Sequence, residues 1–153
     1  MGEIESRLEK LGISLPEAAA PAANYVPFKM SGNMLFTSGQ LPLLDGKLMH
    51  TGIIGDALSV EQGAEAARQC AVNVLSVAKL ALGELTRIQQ IVKITIFVAS
   101  TRDFTHQHVV GNGASDLLVA ALEDKGRHAR SAVGMPSLPL NAPVEVEAII
   151  EFS

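Results

Sequence analysis

A chain of 153 residues with 48% hydrophobic residues is expected to form one domain, with apolar surface for a core and for subunit contacts. The net charge of −4, the absence of Trp and the single Tyr argue against a nucleic-acid surface, which needs basic groups and stacking aromatic rings. There is no apolar run of membrane-spanning length, no signal-peptide pattern and only one cysteine, so we expect a cytoplasmic protein outside the membrane.

The first predicted element is a short helix. Apolar residues at positions 4, 8 and 11 have helical spacing, and Gly12 ends the pattern. The Pro- and Ala-rich residues 15–24 are typical of an extended connector. We therefore divide the chain into residues 1–24, the N-terminal helix and connector, and residues 25–153, a single domain.

A hairpin is predicted next, with strands at residues 26–30 and 34–38 joined by a turn at residues 31–33. Asp45-Gly46 predicts a second turn. Ser59 and Gln62 then have the spacing of a capping box, and alanine-rich helical periodicity continues to Gly83. This alanine-rich face is expected to pack closely on a sheet, with Cys70 buried in the helix.

Residues 91–98 are β-branched and mostly apolar on both faces, which is typical of a central strand. A second helix is expected within residues 104–125, with its early part weakened by Gly111 and Gly113. Two final strands, residues 130–134 and 144–150, alternate with period two, and their short connection predicts that they are neighbours. This order favours an α+β fold, a mixed or antiparallel β-sheet with two helices packed on one face.

The last two strands carry the residues that suggest a site. Arg130 shares a strand face with Ala132 and Gly134, which leaves room for a small molecule whose anionic end contacts the guanidinium. Glu145 and Glu147 share a face of the other strand, and if that face meets Arg130, a cation for binding lies beside a carboxylate for proton chemistry. The pattern alone favours a simpler interpretation, a solvated sheet face with a surface arginine.

A metal site is not predicted. His106 and His108 are the only close histidine pair, and residues two apart on a helix point to different faces. We therefore expect neither a metal nor an organic cofactor.

Several motifs together resemble the Rid (YjgF) family, also described as endoribonuclease L-PSP-like. They are NYV (24–26), GNMLFTSGQ (32–40), IVKITIFV (91–98), ARSAV (129–133), and LP with VEVEAI (138–139 and 144–149). They occur in the family's order, and the resemblance covers roughly residues 22–152. It implies a chorismate-mutase-like α+β fold, a homotrimer with ligand sites between subunits, and hydrolysis of 2-aminoacrylate and related 2-imino acids to 2-keto acids and ammonia.

The resemblance also implies roles for individual residues. Arg130 matches the arginine that clamps the substrate carboxylate, and Glu145 matches the glutamate that positions the hydrolytic water. Tyr25 resembles the tyrosine that closes the cleft, and Ser38 and Gly39 match the adjacent pocket wall. Hydrolysis of an electrophilic imine carbon by this set needs no metal or organic cofactor.

The chain departs from the family pattern around the pocket. Ala132 stands where many members have cysteine, so only its backbone N–H can contact a ligand. Gly134 replaces a frequently acidic position, and the family's asparagine before the arginine is best matched by Asn112. Altered walls change which substrate fits, while the arginine clamp remains.

Three alternatives to a deaminase stay open on the sequence alone. The first is a trimer that binds small carboxylates without catalysis. The second is a ribonuclease, which the family description suggests and the acidic charge opposes. The third is a chorismate-mutase-like rearrangement, which rests on the fold alone.

Overall fold

The computed structural model of the protein describes residues 2–20 and 23–153, so Pro21 and Ala22 of the predicted connector lie outside the described residues. The helices are α1 (Glu3–Lys10), α2 (Val60–Leu82) and α3 (Gln107–Leu122). The strands are β1 (Phe28–Ser31), β2 (Met34–Thr37), β3 (Leu43–Leu44), β4 (Lys47–Leu48), β5 (Ile88–Ala99), β6 (Ala129–Met135) and β7 (Val144–Phe152).

The main sheet has five strands in the order β1-β2-β7-β5-β6. Strands β5 and β6 run parallel, and the other adjacent pairs run antiparallel. The helices pack on one face of this mixed sheet around a shared core of buried apolar residues. The predicted α+β fold is therefore confirmed.

The prediction that the last two strands are neighbours is wrong, because β5 lies between β6 and β7. Strand β5 is the longest strand and pairs on both sides. The connection between β6 and β7 contains a short 3-10 turn, Pro139–Asn141. It has to cross only two strand spacings, about 10 Å, which an eight-residue connection spans easily.

Helix α2 forms as its sequence predicts. The Ser59 side chain accepts from the Gln62 backbone N–H, and the Gln62 side chain accepts from the Ser59 backbone N–H, which completes the capping box. The helix ends at Gly83, whose φ of 81° favours glycine. Its alanine-rich face is buried, as is the Cys70 thiol.

Helix α3 passes without a break through the two glycines that were expected to weaken it. A Cβ on Gly113 would lie 2.0 Å from the Ala64 carbonyl oxygen of α2. Glycine therefore allows the two helices to approach closely, and this packing outweighs the low helix propensity of glycine.

The two predicted turns are present, with shifted boundaries in the first. Ser31 pairs directly with Met34, so the hairpin turn has two residues instead of three. At the second turn Asp45 and Gly46 have φ angles of 53° and 79°, as a type I′ turn requires. This turn closes a separate two-stranded sheet, β3 and β4.

The N-terminal helix joins the core instead of lying apart from it. Ile4 and Leu8 are buried among the core residues. Arg7 donates from Nη1 to the Ala121 carbonyl at the end of α3, at 3.1 Å. Across residues 2–20 and 23–153, no helix is both long enough and apolar enough to span a bilayer.

Candidate functional site

Arg130 projects from the helix-covered face of the sheet. It pairs with Ile94, and Ala132 pairs with Ile96, in the parallel register of β6 and β5. Residues paired across adjacent strands share a face, and Ile94 and Ile96 are fully buried beneath the helices. Arg130 and Ala132 therefore point toward the helix layer from the edge strand of the sheet.

The two glutamates lie on the opposite face. Glu145 pairs with Phe97 and Glu147 with Thr95, and these β5 residues alternate with the buried ones. The hypothesis that the glutamate face meets Arg130 therefore fails within one chain. Alternation fixes which residues share a strand face, whereas the partner strand decides what that face meets.

Helix α3 holds the Arg130 guanidinium at three points. Nη1 donates to the Ser115 hydroxyl at 3.1 Å, and Nη2 donates to the His108 carbonyl at 2.9 Å and to Asn112 Oδ1 at 3.0 Å. The three helix residues are spaced four and three apart, so they lie on one face of α3. The asparagine that best matched the family pattern is thus in contact with the predicted clamp.

Part of the Arg130 donor set remains available to a ligand. A guanidinium has five N–H donors. The contacts with α3 use both Nη2 hydrogens and one Nη1 hydrogen, which leaves the Nε hydrogen and the second Nη1 hydrogen. A carboxylate that binds both Nη atoms has to compete with Asn112 for Nη2.

The room expected beside Arg130 is only partly there. A Cβ on Gly134 would lie 2.9 Å from Gln107 Nε2 and 3.0 Å from Ser100 Oγ, so those side chains occupy the space the glycine leaves. Ala132 packs against the hydrophobic core. The space beside Gly134 is therefore occupied, whereas Ala132 remains partly exposed.

Glu145 and Gly39 form a second group on the glutamate side. A Cβ on Gly39 would lie 1.9 Å from Glu145 Oε2, so the carboxylate rests directly on the glycine backbone. Partial burial, followed by the negative charge of Glu147, raises the pKa of Glu145. No hydrogen bond between described residues engages this carboxylate, which leaves it able to bind and deprotonate a water molecule.

Ser38 connects this group with the segment that carries Tyr25. Its hydroxyl donates to the Val26 carbonyl at 2.5 Å, and its backbone N–H donates to the Pro27 carbonyl at 2.8 Å. Tyr25 lies next to this anchored segment with 49% of its surface exposed. Gly39 thus lies against Glu145, and Ser38 links it to the segment next to Tyr25, whereas Arg130 and Ala132 face the helices.

The cavities found in the structure do not coincide with the predicted site residues. A cavity of about 960 Å³ lies between α1, the segment after it and α2, and its walls include Leu8, Leu15 and Leu80. Within the described part of the chain, none of the predicted site residues lines it or the next cavity, of about 270 Å³.

The histidine pair is arranged differently from the prediction. His106 precedes the first turn of α3, and its ring meets that of His108 edge-to-face, with centroids 5.8 Å apart. The two side chains are therefore adjacent and do not point to different faces. Among residues 2–20 and 23–153, no three His, Cys, Asp or Glu side chains cluster in a way that could hold a metal ion.

Two polar residues beside Arg130 were missed at the sequence level. Ser115 Oγ lies 2.9 Å from His128 Nε2, and His128 Nδ1 lies 2.6 Å from the Gly126 carbonyl oxygen. The sequence positions of these two residues could have indicated that they lie near Arg130. His128 is two residues before Arg130, and Ser115 is three residues after Asn112 on the predicted helix.

Comparisons with known proteins agree with this architecture. The model of the family described as "YjgF/chorismate_mutase-like, putative endoribonuclease" matches residues 5–152. Protein TCP17 of Trypanosoma cruzi is 48% identical over 99% of this chain and 96% of its own length. A crystal structure of Agrobacterium tumefaciens Atu1372, of unknown function, matches with a TM-score of 0.94 and 51% identity over 98% of this chain and 92% of that one.

A crystal structure of a "putative endoribonuclease" from Shewanella oneidensis MR-1 matches with a TM-score of 0.96, at 37% identity over 99% of this chain and all of that one. More distantly, the 2-iminobutanoate/2-iminopropanoate deaminase of Salmonella typhimurium is 31% identical over 90% of this chain and 94% of its own length. The resemblance to the Rid (YjgF) family is thereby confirmed. The chain belongs to the YjgF/chorismate-mutase-like family.

Proposed function

We propose that the protein is a metal-independent hydrolase that deaminates 2-imino and 2-enamino acids to 2-keto acids and ammonia, in the cytoplasm. The observation that carries this proposal is Glu145, a carboxylate with a raised pKa that rests on Gly39 and has no hydrogen-bond partner among the described residues. The deaminase relatives in the family support the same chemistry.

The proposed active unit is a homotrimer with sites between subunits. Arg130 and Glu145 lie on opposite faces of the sheet, so one chain cannot bring both side chains to the same small substrate. In the proposed trimer, a second copy supplies one of them. The open face also exposes apolar side chains that favour association, with Phe36 42% and Val133 40% exposed.

In the proposed reaction Arg130 holds the substrate carboxylate through a charge-assisted contact. Glu145 accepts a proton from water as the water oxygen bonds to the imine carbon. The C=N electrons move to the nitrogen, which receives this proton back from Glu145, and a carbinolamine forms. Glu145 then takes the hydroxyl proton and delivers it to the nitrogen, so that the keto C=O bond forms as the C–N bond breaks and ammonia leaves. A raised pKa suits both steps, because the group has to exist as base and then as acid.

The direct test measures keto-acid release from 2-imino acids that an amino-acid oxidase generates in situ. Wild type should accelerate release, and Arg130→Ala should lower kcat/KM by about 10- to 100-fold, since a hydrogen-bonded ion contact contributes about 1.5 to 3 kcal/mol. Glu145→Gln should lower kcat more than it raises KM. Arg68→Ala removes an exposed α2 arginine and is the matched control.

The same assay separates the competing functions. If the folded protein binds a 2-keto acid but does not turn over any 2-imino acid, the deaminase proposal is refuted and the carboxylate-binding trimer is favoured. RNA cleavage that Glu145→Gln abolishes would revive the ribonuclease interpretation, which the net charge of −4 opposes.

A further inference from the structure

The hydrogen-bond partners of His128 determine which of its ring nitrogens donates and which accepts. Its Nδ1 atom lies 2.6 Å from the Gly126 carbonyl oxygen, which can only accept. Nδ1 therefore carries the ring proton in the neutral imidazole. Nε2 is then an acceptor, and the Ser115 hydroxyl donates to it at 2.9 Å.

This donation determines what Ser115 offers to Arg130. The hydroxyl proton points toward His128, so the oxygen lone pairs remain for the Arg130 Nη1–H at 3.1 Å. The result is a directional chain from Arg130 through Ser115 and His128 to the Gly126 carbonyl. Both intermediate side chains are partly buried, which limits competition from water.

We propose that Ser115 and His128 are positioning residues that fix the guanidinium plane of Arg130 for a 2-imino carboxylate. The role rests on the proposed function. Arginine loses considerable rotamer freedom when it is ordered, and a clamp that is already ordered does not lose it again on binding. The Nη2 side is held by His108 and Asn112, and Ser115 is the described side chain that holds Nη1.

Free space around the guanidinium is also limited on the helix side. A Cβ on Gly111 would lie 3.0 Å from Arg130 Nη1. The glycine thus lets the guanidinium lie close against α3, within reach of Ser115. Packing and the hydrogen-bond chain therefore select the same position of the side chain.

The kinetic test compares Ser115→Ala with Ser115→Thr, and His128→Leu with His128→Gln. Alanine and leucine break the chain, whereas threonine keeps the hydroxyl and glutamine offers Oε1 in place of Nε2. The broken variants should raise KM by about threefold to tenfold with little change in kcat, as expected for one hydrogen bond. The conservative variants should recover most of this loss. Ser76→Ala removes a helical hydroxyl that donates to the Val72 carbonyl and is the control.

A second readout is independent of turnover. Arginine side-chain ¹⁵N NMR of the full chain reports the restricted motion of the Arg130 guanidinium, assigned with Arg130→Lys. Ser115→Ala and His128→Leu should increase this motion, and Ser76→Ala should not. If the Arg130 guanidinium moves no more in Ser115→Ala than in wild type, the positioning role is overturned. Absence of turnover in wild type, with the NMR effect present, would instead overturn the proposed deaminase function alone.

Discussion

Substitution of Gly39 by alanine tests whether the Glu145 carboxylate is placed for chemistry. Gly39 is not among the glycines with positive φ, so its backbone accepts alanine. The new Cβ would lie 1.9 Å from Glu145 Oε2, and ordinary van der Waals contact begins at 3.4 Å. The carboxylate therefore has to retreat by about 1.5 Å.

This displacement sets the expected size of the effect. A misplacement of about 1 Å in a catalytic group can cost about 100-fold in rate. We expect Gly39→Ala to lower kcat/KM by about 10- to 100-fold in the imine hydrolysis assay. Because the clashing atoms belong to the flexible end of a side chain, the free energy of unfolding should change by less than about 1 kcal/mol.

A double-mutant cycle identifies the route of the effect. If Gly39→Ala acts through the carboxylate, adding it to Glu145→Gln should cost much less than it costs in wild type. Denaturant unfolding of all four proteins controls for stability. Wild-type kcat/KM in Gly39→Ala, or fully additive losses in the cycle, would refute the assignment of Glu145 as the water-activating group.

Three further predictions follow from the described contacts. Since the Glu145 base has to be ionised and its pKa is raised by burial and by Glu147, kcat/KM should fall as the pH drops through that raised pKa, and Glu147→Gln should move the fall to lower pH in a pH–rate profile. Burial, followed by the Glu145 charge, raises the pKa of the Cys70 thiol well above its usual range, so a thiol reagent should label it only after denaturant unfolds the protein; fast labelling of the native state would contradict this burial. Gly113→Ala places a Cβ against the Ala64 carbonyl and should lower the free energy of unfolding by about 1 to 3 kcal/mol in urea, whereas an unchanged midpoint would show that the helices can separate without cost.

Local chemistry explains the elements that the sequence predicted correctly. The Ser59–Gln62 capping box and the glycine at position 83 delimit α2 through contacts within a few residues of each helix end. The Asp45-Gly46 turn is likewise a property of its own backbone. Such features depend on neighbours in the chain, so their residues identify them without a tertiary structure.

Strand alternation also assigned the right residues to common faces, Arg130 with Ala132 and Glu145 with Glu147. The family motifs then singled out Arg130 and Glu145 as candidates for binding and proton transfer. A period-two pattern carries no information about which strand comes next in the sheet. The insertion of β5, and with it the separation of the two candidates, came only from the tertiary structure.

The sequence by itself therefore determined the order of the main elements, the ends of α2, the strand faces and the family. Tertiary structure decided that Gly113 serves close helix packing and that α3 provides the contacts of Arg130. These outcomes depend on residues far apart in the chain, whose approach is set by the packing of a whole core. Local propensities do not describe contacts between distant residues. The hydrogen bond between Ser115 and His128 could therefore be seen only in the tertiary structure.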